Sequence, residues 1–395
     1  MSKISDKLLL AKSILSNPQI IRVSPSINIF LTKYMQKFNL VKAGGRLVLH
    51  SHLPAINSPA FSRFISEHLL ARAEGPTHAQ IGLTNACPQN CDYCYNKSRS
   101  GQIMDKDTIK RVIKDLKDMG VIWLGLTGGE PLLNKDIVEI VDSIGDGCAI
   151  KMFTGGYNLT SQLASDLKKA GLFYVSVSLD HWQAQEHDKG RGCQGSFETA
   201  LRAINIFNDI GGIHVGVSTV LSRSMLNSGQ AEEFMGFLIK LGIHEAWLSE
   251  TKPAIKPLWD QDVIITEEER HGLIRLQDRY NKQGKITVNY LGHFESGDNF
   301  GCNAGHKMVY IDAFGEVSPC VFAPITFGNV SEESVQSIFE KMKESFQPHS
   351  CCFVNTNYQL FDRYFKGQYP IGEEDTIKIM KEARFGEMPE FFKRY

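Results

Sequence analysis

No stretch of this 395-residue sequence approaches the ~20 apolar residues that a membrane-spanning helix requires. An excess of one charge is equally lacking. Lysine plus arginine number 43 against 44 aspartate plus glutamate, so the basic face expected of a nucleic-acid-binding protein has no support, and no nucleic-acid partner is expected. There is no low-complexity tract and no internal repeat beyond a strand–helix alternation. The N-terminal run "KLLLAKSIL" (7–15) is broken by Lys12 and lacks a small-residue cleavage site, so it does not read as a signal peptide. These absences lead us to expect a cytoplasmic globular protein of two or three domains.

Cysteine is present and unevenly spread. In a reducing compartment nine cysteines are better read as metal ligands or reactive thiols than as disulfides. Cys87, Cys91 and Cys94 crowd into "TNACPQNCDYCYN" (84–96), Cys148 and Cys193 stand alone, and Cys302, Cys320, Cys351 and Cys352 fall late. That distribution suggests two metal sites. A closed structural zinc site wants four ligands, whereas the first group offers three and no nearby fourth. His78 lies nine residues upstream, at the wrong end of a predicted strand. On a four-iron cubane, three cysteines leave one iron open, as catalysis needs.

From about residue 79, β-rich runs alternate with helical patterns. Strands are expected at 79–84, 121–127, 149–154, 173–180, 213–221 and 245–249. Helices are expected between them, one with Ile109, Val112, Ile113 and Leu116 on one face. Six such units imply a parallel sheet with right-handed crossovers, whose ligands gather at the C-terminal strand ends. The chemically unusual residues fall there: the cysteine loop, "GGEP" (128–131), "GGYN" (155–158) and Asp180. Before residue 75, Ser24 reads as a helix cap with Pro25 after it, and apolar stripes over 27–38 and 61–69 flank a possible strand at 46–50. The expectation is a helical cap on the barrel. A docking surface for a peptide, a lipid or a membrane is the alternative reading of those stripes.

C-x3-C-x2-C after the first strand, with Tyr93 before the last cysteine and "GGEP" after the next strand, resembles the radical S-adenosylmethionine (SAM) enzymes. The resemblance covers roughly 79–250. It implies that Cys87, Cys91 and Cys94 hold a [4Fe-4S] cluster whose fourth iron is chelated by SAM. Gly128, Gly129 and Glu130 would receive the methionine amino group, the glycines allowing close backbone approach. Ser178 and Asp180 would reach the ribose or carboxylate, Arg191 the carboxylate as a planar fork, and Tyr93 the adenine. Electron transfer from the reduced cluster would break the C5′–S bond and release a 5′-deoxyadenosyl radical that takes a substrate hydrogen. A reductant such as flavodoxin or ferredoxin is implied. Gly155 stands where family members often carry asparagine, and Asn158 is the substitute considered.

"GCNAGHKMVYIDAFGEVSPC" (301–320) reads as a hairpin turning at Phe314–Gly315, and "FGNVSEESVQSIFE" (327–340) follows with a helix opening near Ser331. This resembles the C-terminal SPASM domain, or its shortened twitch form with one auxiliary cluster. The resemblance implies ligation by Cys302, Cys320 and one or both of Cys351 and Cys352; zinc is the alternative occupant. Neighbouring side chains diverge in an extended chain, so both joining one cluster requires a tight bend. Cys193 is a candidate hydrogen-atom donor, Cys148 a core residue, and His181, His187, Glu250 and Lys252 unranked proton carriers.

The expected architecture is α/β: a partial (β/α)6 TIM-like barrel (76–255) with a helical N-terminal cap (1–75). A helical linker (256–299) and a small α+β iron–sulfur domain (300–395) follow. The expected activity is radical SAM modification of a peptide or protein side chain. A small-molecule oxidoreductase acting on a sugar, nucleotide or lipid is the alternative within the class. A zinc-stabilised binding protein and a plain iron–sulfur electron carrier are the readings from other classes.

Overall fold

The computed structural model describes residues 17–395; the run at 7–15, whose reading as no signal peptide is noted above, lies outside the described residues. A two-stranded hairpin, β1 (Val41–Ala43) and β2 (Arg46–Val48), precedes the main sheet. Six parallel strands form the centre: β3 (His78–Gly82), β4 (Trp123–Thr127), β5 (Ala149–Thr154), β6 (Tyr174–Ser178), β7 (His214–Leu221) and β8 (Glu245–Glu250). Each lies within a few residues of its predicted position. Helices cover the outside, and their ends carry the expected signals. Asp105 caps Lys106–Asp118 by accepting from Thr108 N at 2.8 Å, and Ile109, Val112, Ile113 and Leu116 are buried.

The sheet continues beyond those six strands. β9 (Thr287–Tyr290) pairs with β8, and β10 (Met308–Ile311) with β3, both parallel; β11 (Val317–Ser318) is an antiparallel edge. The stretch expected as a helical linker, 256–299, thus holds helix Glu267–Gln283 and also a strand of the barrel. The C-terminal region likewise shares the sheet through β10. Gly315 turns the β10–β11 hairpin at φ +86°, where a Cβ is strained. The following helix, Val335–Ser345, is capped by Ser334, three residues later than expected.

The N-terminal segment closes the strand-start end of the barrel. Ser24 caps helix Pro25–Met35 by accepting from Ile27 N, as predicted. Much of the apolar stripe on that helix packs inward against Phe294, Phe300 and Phe391, with Phe30 5.5 Å from Phe300. Residues His50–Leu53 then enter the barrel floor, where every backbone polar group needs a partner. Ser51 N donates to Glu245 at 2.7 Å, and Ser51 O accepts from Trp123 Nε1 at 2.7 Å. His52 O accepts from His78 at 2.8 Å, and Leu53 O from the Tyr174 hydroxyl at 3.1 Å. Lys151, fully buried, donates to Ser51 Oγ at 2.6 Å and lies 3.5 Å over the Trp247 ring. Burial lowers its pKa to about 7.

At the other end, Arg99 ties the cysteine loop to the C-terminal hairpin. Its guanidinium pairs with Asp312 at 3.0 Å, with side-chain exposures of 2% and 0%. It also donates to Ala323 O and Ser318 Oγ. A buried pair broken on one side leaves an uncompensated charge. Asp312→Asn is therefore expected to cost about 3–5 kcal/mol, measured by chemical denaturation of the metal-free protein, whereas a matched apolar replacement of both partners costs less.

Candidate active site

The loop after β3 has little regular structure, so its geometry depends on contacts from neighbouring elements. Leu83 N donates to Thr127 O at 2.9 Å, and Asn90 N to Arg191 O at 2.9 Å. Asn85 Nδ2 reaches Arg99 O at 3.0 Å, and Lys97 Nζ reaches Cys91 O at 2.9 Å. Thus braced, the loop turns Cys87, Cys91 and Cys94 toward one cavity of about 260 Å3. Burial raises the Cys91 thiol pKa although Arg191 pulls it down, so metal loading there must displace a proton.

The "GGEP" turn packs directly on this loop. Gly129 N donates to Thr84 O at 2.6 Å and Glu130 N to Ala86 O at 2.8 Å. A Cβ on Gly128 would lie 2.4 Å from Thr84 O, and one on Gly129 2.3 Å from Ala86 O. The sequence reading assigned these glycines to ligand approach; the first thing a side chain would meet is the cysteine loop itself. Both still line the cavity. The Glu130 carboxylate accepts from Thr154 Oγ1 at 2.5 Å and Gly155 N at 2.7 Å, joining the ends of β4 and β5. Burial pushes its pKa up to about 7 despite those donors.

Tyr93, Asp180 and Arg191 form one network. The Tyr93 hydroxyl donates to Asp180, Arg191 pairs with Asp180 at 2.8 Å, and Val220 N donates to the other carboxylate oxygen at 3.0 Å. Of the seven residues proposed from sequence to contact SAM, six line the cavity: Tyr93, Gly128, Gly129, Glu130, Ser178 and Arg191. Asp180 does not. Its carboxylate is consumed by Tyr93, Arg191 and Val220, so it orients cavity residues instead of facing a ligand. Asn158, the considered substitute at the β5 end, is exposed and also outside the cavity.

The same cavity reaches the second thiol group. Cys302, Cys320 and Cys352 line it; Cys351 is exposed and does not. Burial pushes the Cys320 thiol up to about 12. Phe153, Trp247 and Phe294 add aromatic surface to the same cavity. Cys193, the candidate hydrogen donor, lies outside and accepts from the Tyr157 hydroxyl at 3.3 Å. His181 and His187 are also outside the lining, while Cys148 is buried as expected. Glu250 and Lys252 pair at 2.9 Å beneath Cys352. Sequence reasoning missed Glu295, His52 and Trp247, which reach the cavity from three separate places: the turn after helix Leu291–Phe294, the floor segment and β8. Among the described residues, no three His, Cys, Asp or Glu side chains gather around one point as a single zinc ion requires.

Three thiols on a strand-end loop, a Gly-Gly turn locked to that loop and a second thiol set across one cavity define an iron–sulfur enzyme on a parallel α/β barrel. Residues 81–234 match the radical SAM superfamily and residues 302–359 the SPASM iron–sulfur cluster-binding domain. The chain therefore carries a radical SAM domain and a SPASM-type C-terminal region. The cofactors of that class are a [4Fe-4S] cluster, SAM and auxiliary iron–sulfur binding. The AdoMet-dependent heme synthase of Methanosarcina barkeri is 26% identical over 69% of this chain and 84% of its own. A PqqA peptide cyclase of Bradyrhizobium diazoefficiens is 25% identical over 73% and 75%. Among solved structures, Streptococcus suis SuiB bound to precursor peptide SuiA has the same fold, with TM-score 0.58 and 16% identity over 78% and 79% of the chains. No helix among the described residues is long and apolar enough to cross a membrane.

Burial alone would raise the Asp180 carboxyl, but Arg191, Tyr93 and Val220 outweigh it and hold the pKa below its usual value. Stability from this network is therefore complete above the unfolded carboxyl value of about 4 and is lost as pH falls through the folded one. Asp180→Asn should cost about 3–5 kcal/mol at pH 7 by leaving Arg191 unpaired. Denaturation curves of both proteins from neutral to acid pH should show this gap closing.

Proposed function

We propose that the chain modifies a peptide side chain placed between two iron–sulfur sites, with Cys87, Cys91 and Cys94 each ligating one iron of the SAM-binding cluster. Cys302, Cys320 and Cys352 would hold one auxiliary cluster. The observation that carries this reading is the single cavity lined by both thiol sets. The residues fit the groups: the first set supplies three thiols and leaves a coordination position free, and the adjoining polar strip from Gly128 to Glu130 can receive an amino group. When bound, the cluster and SAM together supply a 5′-deoxyadenosyl radical that removes a hydrogen atom from the substrate.

The chain's own residues do the rest. Gly129 and Glu130 fix the cysteine loop through their backbone amides. Arg191, 7% exposed and held by Asp180, presents its remaining N–H groups for a carboxylate, and Ser178 offers a hydroxyl. Phe153, Trp247 and Phe294 exclude water from the space where hydrogen transfer takes place, protecting a reactive centre from quenching. Gln80, Ser249 and Asn303 provide polar groups to orient a substrate amide or carbonyl. A peptide substrate is supported by the peptide-cyclase relative. The heme synthase relative favours a second reading, a small-molecule substrate. A flavodoxin- or ferredoxin-type reductant and a cytoplasmic location complete the proposal.

Anaerobically reconstituted, reduced protein should convert SAM to 5′-deoxyadenosine, and Cys87→Ala/Cys91→Ala/Cys94→Ala should abolish this with loss of about four irons per chain. Product measured by chromatography should rise on adding a pool of synthetic peptides. A rise with tetrapyrrole precursors and none with peptides would favour the second reading. Stoichiometric zinc with no cleavage would contradict both.

A further inference from the structure

The second thiol set is one ligand short. Cys302, Cys320 and Cys352 line the cavity, but Cys351 is turned away, exposed, with its Sγ 3.9 Å from Ser350 Oγ. Cys352 sits at the mouth of helix Phe353–Tyr364 with extended backbone (φ -60°, ψ 118°), so its predecessor points elsewhere. Three thiolates on a four-iron cluster leave one iron without a cysteine.

Glu295 lies near this set. It lines the same cavity, fixed just past the short helix Leu291–Phe294 by its amide, which donates to Leu291 O at 2.9 Å. Lys252 Nζ lies 3.9 Å from the Glu295 carboxylate and 3.6 Å from Cys352 Sγ, so carboxylate and thiol flank one ammonium. Cys302 and Cys320 line the same cavity, so the carboxylate and all three thiols border one space. Glu250, by contrast, is engaged at close range by Lys252 at 2.9 Å and Arg270 at 3.0 Å. The Glu295 carboxylate accepts no hydrogen bond from any described residue. Its one described partner is the distant Lys252 ammonium. A half-buried carboxylate so poorly partnered is an oxygen donor available to a metal.

We propose that Glu295 is the fourth protein ligand of the auxiliary cluster, completing a three-cysteine, one-carboxylate set with Cys302, Cys320 and Cys352, and that Cys351 stands outside it. This rests on the reading that those cysteines hold an iron–sulfur cluster. Lys252 is a positioning residue. Its ammonium donates toward Cys352 Sγ and orients the carboxylate, the kind of surrounding contact that fixes a ligand and tunes its metal.

The test uses the full-length chain carrying C87A, C91A and C94A, so that iron in the reconstituted protein reports the auxiliary site alone. Iron content and the electron paramagnetic resonance and Mössbauer spectra are compared after adding Glu295→Gln, Glu295→Cys or Cys351→Ala. Cys351→Ala should retain about four irons and the parent spectra. Glu295→Gln should fall to about three irons and show a three-iron signal on oxidation, and Glu295→Cys should restore about four with altered spectra. Restoration by cysteine separates ligand loss from misfolding. Parent iron and spectra in Glu295→Gln, or iron loss in Cys351→Ala, would overturn the assignment while leaving the auxiliary cluster established. No iron in the background chain would overturn the auxiliary-cluster reading and the assignment with it.

Discussion

Two backbone hydrogen bonds, from Gly129 to Thr84 and from Glu130 to Ala86, lock the loop that carries the first three thiols onto the turn that follows the next strand. The loop is long and poor in regular structure, and it presents thiols instead of burying apolar side chains. It cannot fix its own shape by packing. Its geometry depends on neighbours that approach within hydrogen-bond reach, and only glycine permits that approach at 128 and 129. The Asn90–Arg191 contact and the Arg99–Asp312 pair add anchors from a helix and from the C-terminal hairpin. Three separate parts of the chain thereby converge on one loop.

The same economy holds across the cavity. Asp180, Arg191 and Tyr93 balance one another's charge and hydrogen-bonding capacity at one end. Glu250, Lys252 and Arg270 do so at the other, with Glu295 beside them and poorly partnered. Phe153, Trp247 and Phe294 add aromatic lining, and the floor is sealed by a segment whose backbone is satisfied by β3, β4, β6 and β8. The lining mixes those aromatic rings with polar groups such as Gln80, Ser249 and Asn303. Its aromatic part suits hydrogen-atom transfer, which needs exclusion of solvent more than it needs a charged group.

Much of this was legible in the sequence. β3 to β8 were readable because each is a short β-rich run closed by turn residues and followed by a helical pattern, and the cysteine loop and Gly-Gly turn were readable because their spacing is specific. β9 and β10 were harder. "TVNY" lies in a stretch dominated by a long amphipathic helix, and "MVYI" reads as one arm of a hairpin; neither says which distant strand it will join. The cavity's composition was legible only in part. Asp180 sits at the correct strand end but spends its carboxylate on Arg191 and Tyr93, a choice made by tertiary geometry. The sequence left Cys351 and Cys352 undecided, since adjacency alone does not say which one turns inward. Glu295 gave no signal, because its meaning arises only when Lys252 and Cys352 are brought to it from other elements.

The central claim is that both metal sites open onto one cavity. Diffraction from anaerobically grown crystals of the reconstituted protein, recorded at the iron absorption edge, tests it most directly. The account predicts two iron clusters, one beside Cys87, Cys91 and Cys94 and one beside Cys302, Cys320 and Cys352, both bordering the one cavity. A single iron site, or a second one outside this cavity, would contradict it.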